Sequence, residues 1–168
     1  WLLEELHLDY EVIYSDHPIS TQELEKLPSH PSSLKFPTVQ IFHDDSTESI
    51  VMSETAAIAD YLSHQLNTLS ISQLSHQEIQ FYYYWKNFAE ATFMPEQETS
   101  AASGSFLKFG FDRGHLNHAL NPHLFAIDQH LKNHTYLTGN HFSITDLLLW
   151  FPLLACMQSN NKFASLQH

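Results

Sequence analysis

All the strand-like sequence of this chain lies before residue 54, and helical periodicity governs the remainder. That division limits the fold to a small α/β layer followed by an all-helical part. Tyr10 to Tyr14 reads as a short strand, and Thr38 to Phe42, β-branched and aromatic, as a second. Asp44-Asp45-Ser46-Thr47 supplies a turn. Ser49 to Met52 returns as a third strand, paired with the second in a hairpin. Ahead of these strands, Trp1, Leu2, Leu3 and Leu6 alternate with Glu4, Glu5 and His7 as the end of an amphipathic helix. Ser20 and Glu23 frame a capping box that opens a helix through Leu24 and Leu27, closed by Pro28 and Pro31. Residues 28–35 are a loop rich in Pro and Ser. The expected order is helix, strand, helix, strand, strand, helix, and a strand ahead of the first helix would complete the layer.

The rest of the chain carries helix signals. Asn67 to Leu74 is a polar connector. Ser75-His76-Gln77-Glu78 is a capping box ahead of a long aromatic helix from Ile79 to Met94. Thr99 to Gly114 is rich in Gly and Ser and reads as loop or frayed helix. Leu116, Leu120, Leu124, Ile127 and Leu131 share one helix face. Pro122 either kinks that helix or, with Asn121 as cap, opens a new one. Gly139 makes a turn. In Phe142-Ser143-Ile144-Thr145-Asp146-Leu147, Ser143 is expected to cap the Asp146 amide and Asp146 to reach back to Ser143. Phe142 and Leu147 stand at the staple positions. The cap is worth about 1 kcal/mol. Its helix, Ile144 to Met157, is apolar nearly all round, which predicts burial.

Length and charge narrow the function. A chain of 168 residues, 43% apolar, can bury a sizeable core without staples. Its net charge is −12, and residues 1–66 hold twelve acids against two bases, Lys26 and Lys35. Such a surface repels phosphate backbones, so no nucleic-acid partner is expected. The longest apolar run, Leu147 to Met157, is shorter than the ~20 residues of a membrane helix, so no membrane partner is expected either. The single cysteine, Cys156, excludes an internal disulfide and fits a reducing, cytoplasmic setting. Within an apolar run it reads more plainly as a small hydrophobe than as a reactive thiol.

The stretch Val51 to Ile58 carries the chemistry. An apolar run ends, a polar turn follows, and a helix begins, with Ala57, Ile58, Tyr61 and Leu62 on one face. The hydroxyls of Ser53 and Thr55 stand at cap positions. A helix start offers N–H groups and the positive end of a dipole to a carboxylate, and Glu54 offers a countercharge to an ammonium. A zwitterionic, amino-acid-like ligand suits that pair; a plain capped helix satisfies the same pattern. Thirteen histidines include His130 and His134 at i, i+4 and His115 and His118 at i, i+3, but no acidic or thiol partner completes a metal set, and no metal is expected.

Four stretches together resemble the cytosolic glutathione transferases. Trp1-Leu2-Leu3-Glu4-Glu5-Leu6 with Asp9-Tyr10-Glu11 is similar to the family's first helix and second strand, in a form common among fungal and bacterial members. Lys35-Phe36-Pro37-Thr38-Val39 resembles the segment with the family's cis-proline. Ser53-Glu54-Thr55-Ala56-Ala57-Ile58 resembles the motif Glu-Ser-x-Ala-Ile. Tyr136-Leu137-x-Gly139 with Phe142-Ser143-x-x-Asp146 resembles the capped helix of the helical domain.

The resemblance implies an incomplete thioredoxin-like domain over 1–66, lacking its first strand, a linker over 67–73, and an all-helical domain over 74–168, truncated. It implies glutathione as co-substrate. Its γ-glutamyl carboxylate would meet Thr55 and its ammonium Glu54, while its cysteinyl group would pair with the Phe36 backbone before Pro37. Lys35 would face the glycyl carboxylate or simply stand in solvent. The second substrate would be a small hydrophobic electrophile, walled by some of Tyr82, Tyr83, Tyr84, Trp85, Phe88 and Phe93, the others serving as core or homodimer contacts. The activity implied is thiolate conjugation in detoxification. A non-catalytic binding or dimerisation module, or a glutathione-dependent peroxidase, shares the scaffold. This chain departs from the pattern at Thr55, where serine is usual, and at His30-Pro31-Ser32-Ser33-Leu34, one residue longer and without glycine. The Tyr, Ser or Cys that activates the thiol would precede Trp1, so the sequence reads as a fragment cut at both ends, with no catalytic residue of its own and inactive as it stands.

Overall fold

The computed structural model describes residues 1–14, 37–43, 49–95 and 122–159, with side chains of the last helix as far as Leu154. The chain divides into two compact units, Trp1–Thr68 and Leu69–His168.

The first unit opens with α1, Leu2–Glu5, whose apolar side turns Leu6 into the core at 7% exposure. Strands β1, Thr38–Phe42, and β2, Ser49–Ser53, pair antiparallel with Thr38 opposite Ser53 and Phe42 opposite Ser49. Helix α2, Thr55–Gln65, follows directly and lies against β2. Its buried stripe is Ile58, Ala59, Leu62 and Ser63, while Ala57 is exposed. The stripe expected from apolar periodicity is therefore rotated by one residue. Two i, i+4 pairs, one large and one small, let the helix approach closely, and a count of apolar residues alone misses the serine.

Residues 10–14 form no strand: Tyr10, Val12, Ile13 and Tyr14 are exposed, and no described segment pairs with them. A strand needs a ladder partner as well as β-branched residues. The expected helix through Leu24 and Leu27, the loop 28–35 and the turn 44–47 lie outside the described residues.

The second unit is helical. A 3-10 turn, Ile71–Gln73, leads into α3, His76–Asn87, which runs on as a π-helical segment, Phe88–Phe93. The expected capping box forms in full: the Ser75 hydroxyl accepts the Glu78 N–H, and the Glu78 carboxylate accepts the Ser75 N–H at 2.9 Å. Helix α4 is Pro122–Leu131, and the preceding residues that would separate the two readings of Pro122 lie outside the described residues. The expected cap Asn121, the apolar positions Leu116 and Leu120, and the loop 99–114 lie outside the described residues. Helix α5, Ile144–Ser159, contains Pro152. Ile144, Leu148 and Leu149 are buried on it, but Trp150 is 48% and Phe151 65% exposed. The expectation of burial all round is thus wrong for this edge of α5. Composition sets how apolar a helix is, whereas the neighbours it meets set which side is covered. No described helix is long and apolar enough to cross a membrane.

Candidate functional site

The hairpin register builds the site in the first unit. With Thr38 opposite Ser53, the chain enters β1 from Pro37 at the same end where it leaves β2 into Glu54. The hairpin thereby brings Pro37, Glu54 and Thr55 to one edge, and all three are exposed. Lys35 and Phe36 lie outside the described residues, as does the peptide bond that joins Phe36 to Pro37.

The helix start at this edge differs from its expected form. The N-cap of α2 is Glu54 itself, and neither the Ser53 nor the Thr55 hydroxyl caps it. Ser53 is buried at the end of β2, on the same face as the buried Val51 by strand alternation. The first intrahelical bond runs from the Ile58 N–H to the Glu54 carbonyl at 2.9 Å. Glu54 takes φ 73 and ψ 108, a conformation that an L residue with a Cβ adopts at a cost of about 1–3 kcal/mol. The turn thus leaves a helix N-terminus open to solvent beside an exposed carboxylate. Chemically it can accept an anion on backbone N–H groups and a cation on Glu54. Sequence reasoning missed the positive φ because glutamate carries no signal for it.

In the second unit, Ser143 and Asp146 do not form the symmetrical box expected of them. The Asp146 carboxylate accepts the Ser143 N–H at 3.0 Å, as expected. The Ser143 hydroxyl, however, accepts from the Thr145 N–H at 3.3 Å, and the Asp146 N–H bonds the Ser143 carbonyl at 3.2 Å. The tight first turn places the nearer amide under the hydroxyl. The second carboxylate oxygen of Asp146 accepts the Leu137 N–H at 2.9 Å, nine residues back. Burial raises the Asp146 pKa, and the N–H groups of Leu137 and Ser143 oppose that rise.

Glu78 does similar work from α3. One oxygen holds Ser75 through its N–H and its hydroxyl; the other accepts His141 Nδ1 at 2.6 Å and the Asn140 N–H at 3.4 Å. These donors, Ser75 first, hold the Glu78 carboxyl down at about 2. Between the two acids, Tyr136 and Gly139 exchange backbone bonds, with Gly139 at φ +121, where a side chain would be strained. These are structural anchors of the 136–143 loop. Their local half is legible as capping boxes; the long-range half has no sequence signal.

Of the six aromatic residues expected at a second-substrate wall, Tyr82, Trp85, Phe88 and Phe93 are buried, while Tyr83 and Tyr84 are 47% and 55% exposed. The histidines His130 and His134 stack on one another with ring centroids 4.2 Å apart.

No protein-family model matches the chain. Among curated proteins it is similar to glutathione S-transferase 3 of Schizosaccharomyces pombe, 26% identical over 94% of this chain and 69% of that protein. Among solved structures it is similar to a glutathione transferase family member from Pseudomonas fluorescens Pf-5, crystallised with two glutathione bound. That likeness has a TM-score of 0.59 and 21% identity, over 92% of this chain and 68% of the other. It shows the fold, a thioredoxin-like part followed by a helical part, with which the hairpin and the helices are consistent.

Proposed function

We propose that this chain, a member of the glutathione transferase family, binds glutathione at the edge where Pro37, Glu54 and Thr55 meet. The observation that carries the reading is the uncapped start of α2, with Glu54 at positive φ and exposed beside it. The γ-glutamyl carboxylate takes the N–H groups and the hydroxyl of Thr55, and its ammonium takes Glu54. The Phe36 backbone, ahead of Pro37, pairs with the cysteinyl group as one strand with another. Lys35 supplies the cation for the glycyl carboxylate. The bound solved relative supports glutathione as the ligand, and the curated relative supports a transferase.

In this reading the thiol of glutathione, with a free pKa near 8.5, ionises and attacks a small hydrophobic electrophile. The group that activates the thiol is assigned to no residue of this chain. Pairing of two copies and a cytoplasmic role in detoxification belong to the same reading.

The test is a glutathione titration followed by backbone amide resonances. Glutathione is expected to shift the amides of Glu54 to Ala57, and Glu54→Ala is expected to weaken binding about tenfold, the loss of one charge-assisted contact worth about 1.4 kcal/mol. Unshifted amides at this edge, or equal affinity in the variant, would overturn the assignment.

A further inference from the structure

Helix α4 meets α3 through imidazoles. Phe81 and Trp85 stand one turn apart on α3, and His130 and His134 stand one turn apart on α4 and its C-terminal extension. The four rings interleave. Phe81 meets His130 and His134 edge-on at 4.9 and 5.1 Å, and Trp85 meets His130 at 4.9 Å. The two imidazoles lie 4.2 Å apart and within 16° of parallel. Further along, His123 meets Phe88 at 5.3 Å.

The hydrogen bonds fix how these rings hold their protons. His130 Nε2 lies 2.9 Å from the Leu137 carbonyl, and His134 Nδ1 lies 2.9 Å from the His130 carbonyl. A carbonyl only accepts, so each ring donates through that nitrogen and is complete as a neutral imidazole. A further proton must go to His130 Nδ1 or His134 Nε2. Two imidazolium rings stacked at this distance repel, and burial between aromatic rings disfavours the charge.

Among the described residues, the groups that face the pair do not neutralise it. From α3 come Phe81 and Trp85, neither of them charged. Glu78 is also near: a Cβ on Gly139 would lie 3.4 Å from Glu78 Cγ and 3.9 Å from His134 Cδ2. The Glu78 oxygens, however, are taken by Ser75, Asn140 and His141. On α4, Asp128 Oδ2 pairs with Lys132 at 3.9 Å, while its Oδ1 is buried without a hydrogen bond among the described residues; two positions from His130, Asp128 lies on another side of the helix. From α5 comes Asp146, whose oxygens hold the Leu137 and Ser143 N–H groups. The π-helical segment meets α4 at His123, away from the pair.

We propose that the His130–His134 stack is an acid-sensitive latch, which docks α4 on Phe81 and Trp85 while both rings are neutral and loosens when the pair takes up a proton. Burial, and then the neighbouring His134, hold the His130 pKa below its ordinary value. Below about pH 6.5 the unfolded chain therefore binds more protons at this position than the folded one. The latch is intact above that value and weakens as pH falls through it.

The test uses the full chain. Imidazole C–H resonances should show His130 titrating below about pH 6.5, and His134→Phe, which keeps a stacked ring and removes its charge, should move that titration to higher pH. A His130 midpoint at or above the ordinary value, or one indifferent to His134→Phe, overturns the proposal. The urea midpoint of the second unit should fall between pH 7.5 and 5.5, and fall less in His130→Gln, which keeps a donor for the Leu137 carbonyl. An equal fall in the variant also overturns it. Should His130→Gln fail to fold, the resonance titration of the wild-type chain and of His134→Phe decides alone.

Discussion

The helix starts of the two units are built in opposite ways. In the helical unit, α3 and α5 each begin on a serine and carry an acid three residues later, and both acids spend every oxygen on hydrogen bonds. In the first unit, α2 begins on Glu54 with no side-chain cap, in a conformation that costs energy and leaves its carboxylate in solvent. A start closed by its own side chains contributes stability and has nothing left to offer a ligand. A start left open gives up that stability and keeps its N–H groups and its dipole for something else. Anchoring falls to α3 and α5, and the glutathione binding proposed above falls to α2.

The largest effect is expected from a closed start. Asp146→Ala leaves the Leu137 and Ser143 amides, both in buried residues, without their acceptor. Orphaned donors of this kind cost about 1–3 kcal/mol each. Relief of the buried carboxylate, whose pKa is raised, offsets part of that. The net loss should be about 2 kcal/mol in urea denaturation, and an unchanged midpoint would break the comparison at its stronger end.

Glu78→Gln should cost about 1 kcal/mol at neutral pH, since the shape is kept and the charge-assisted bonds to Ser75 and His141 are weakened. It also has a pH signature. The folded Glu78 carboxyl sits at about 2, below its unfolded value, so its contribution is complete above about pH 5 and is lost as pH falls toward 2. The wild type minus variant difference should vanish over that window, and a difference that persists at pH 2 would assign the effect to packing.

The smallest effect sharpens the open start. Glu54→Gly removes the backbone strain at φ 73 but gains freedom in the unfolded chain, for a net stabilisation of about 1 kcal/mol or less. It should also weaken glutathione binding. A variant that melts lower would mean that Glu54 closes its own helix after all.

Much of the fold is legible along the chain. Thr38 to Phe42 and Ser49 to Met52 announce a hairpin by β-branching, and α2 follows the hairpin as the change of pattern predicts. The Ser75 to Glu78 box forms as written, because a cap is an agreement among four neighbouring residues. The failures share one cause. Tyr10 to Tyr14 has strand composition without a strand, because pairing is made by a second segment. Trp150 and Phe151 are as apolar as their buried neighbours, yet both stay exposed, because cover is supplied by other elements.

The candidate site divides along the same line. That Glu54 and Thr55 stand at a helix start is a property of the sequence, since the strand ends and the periodicity begins there. That Pro37 joins them at one edge is a property of register, and that Glu54 holds a positive φ is a property of the turn. Likewise, Glu78 and Asp146 declare their local caps in sequence, whereas their hold on Asn140, His141 and Leu137 exists only once the chain has folded. Interactions within one helical turn are set by spacing alone. Those between distant parts of the chain depend on which surfaces the packed core brings together, and no local pattern encodes that choice.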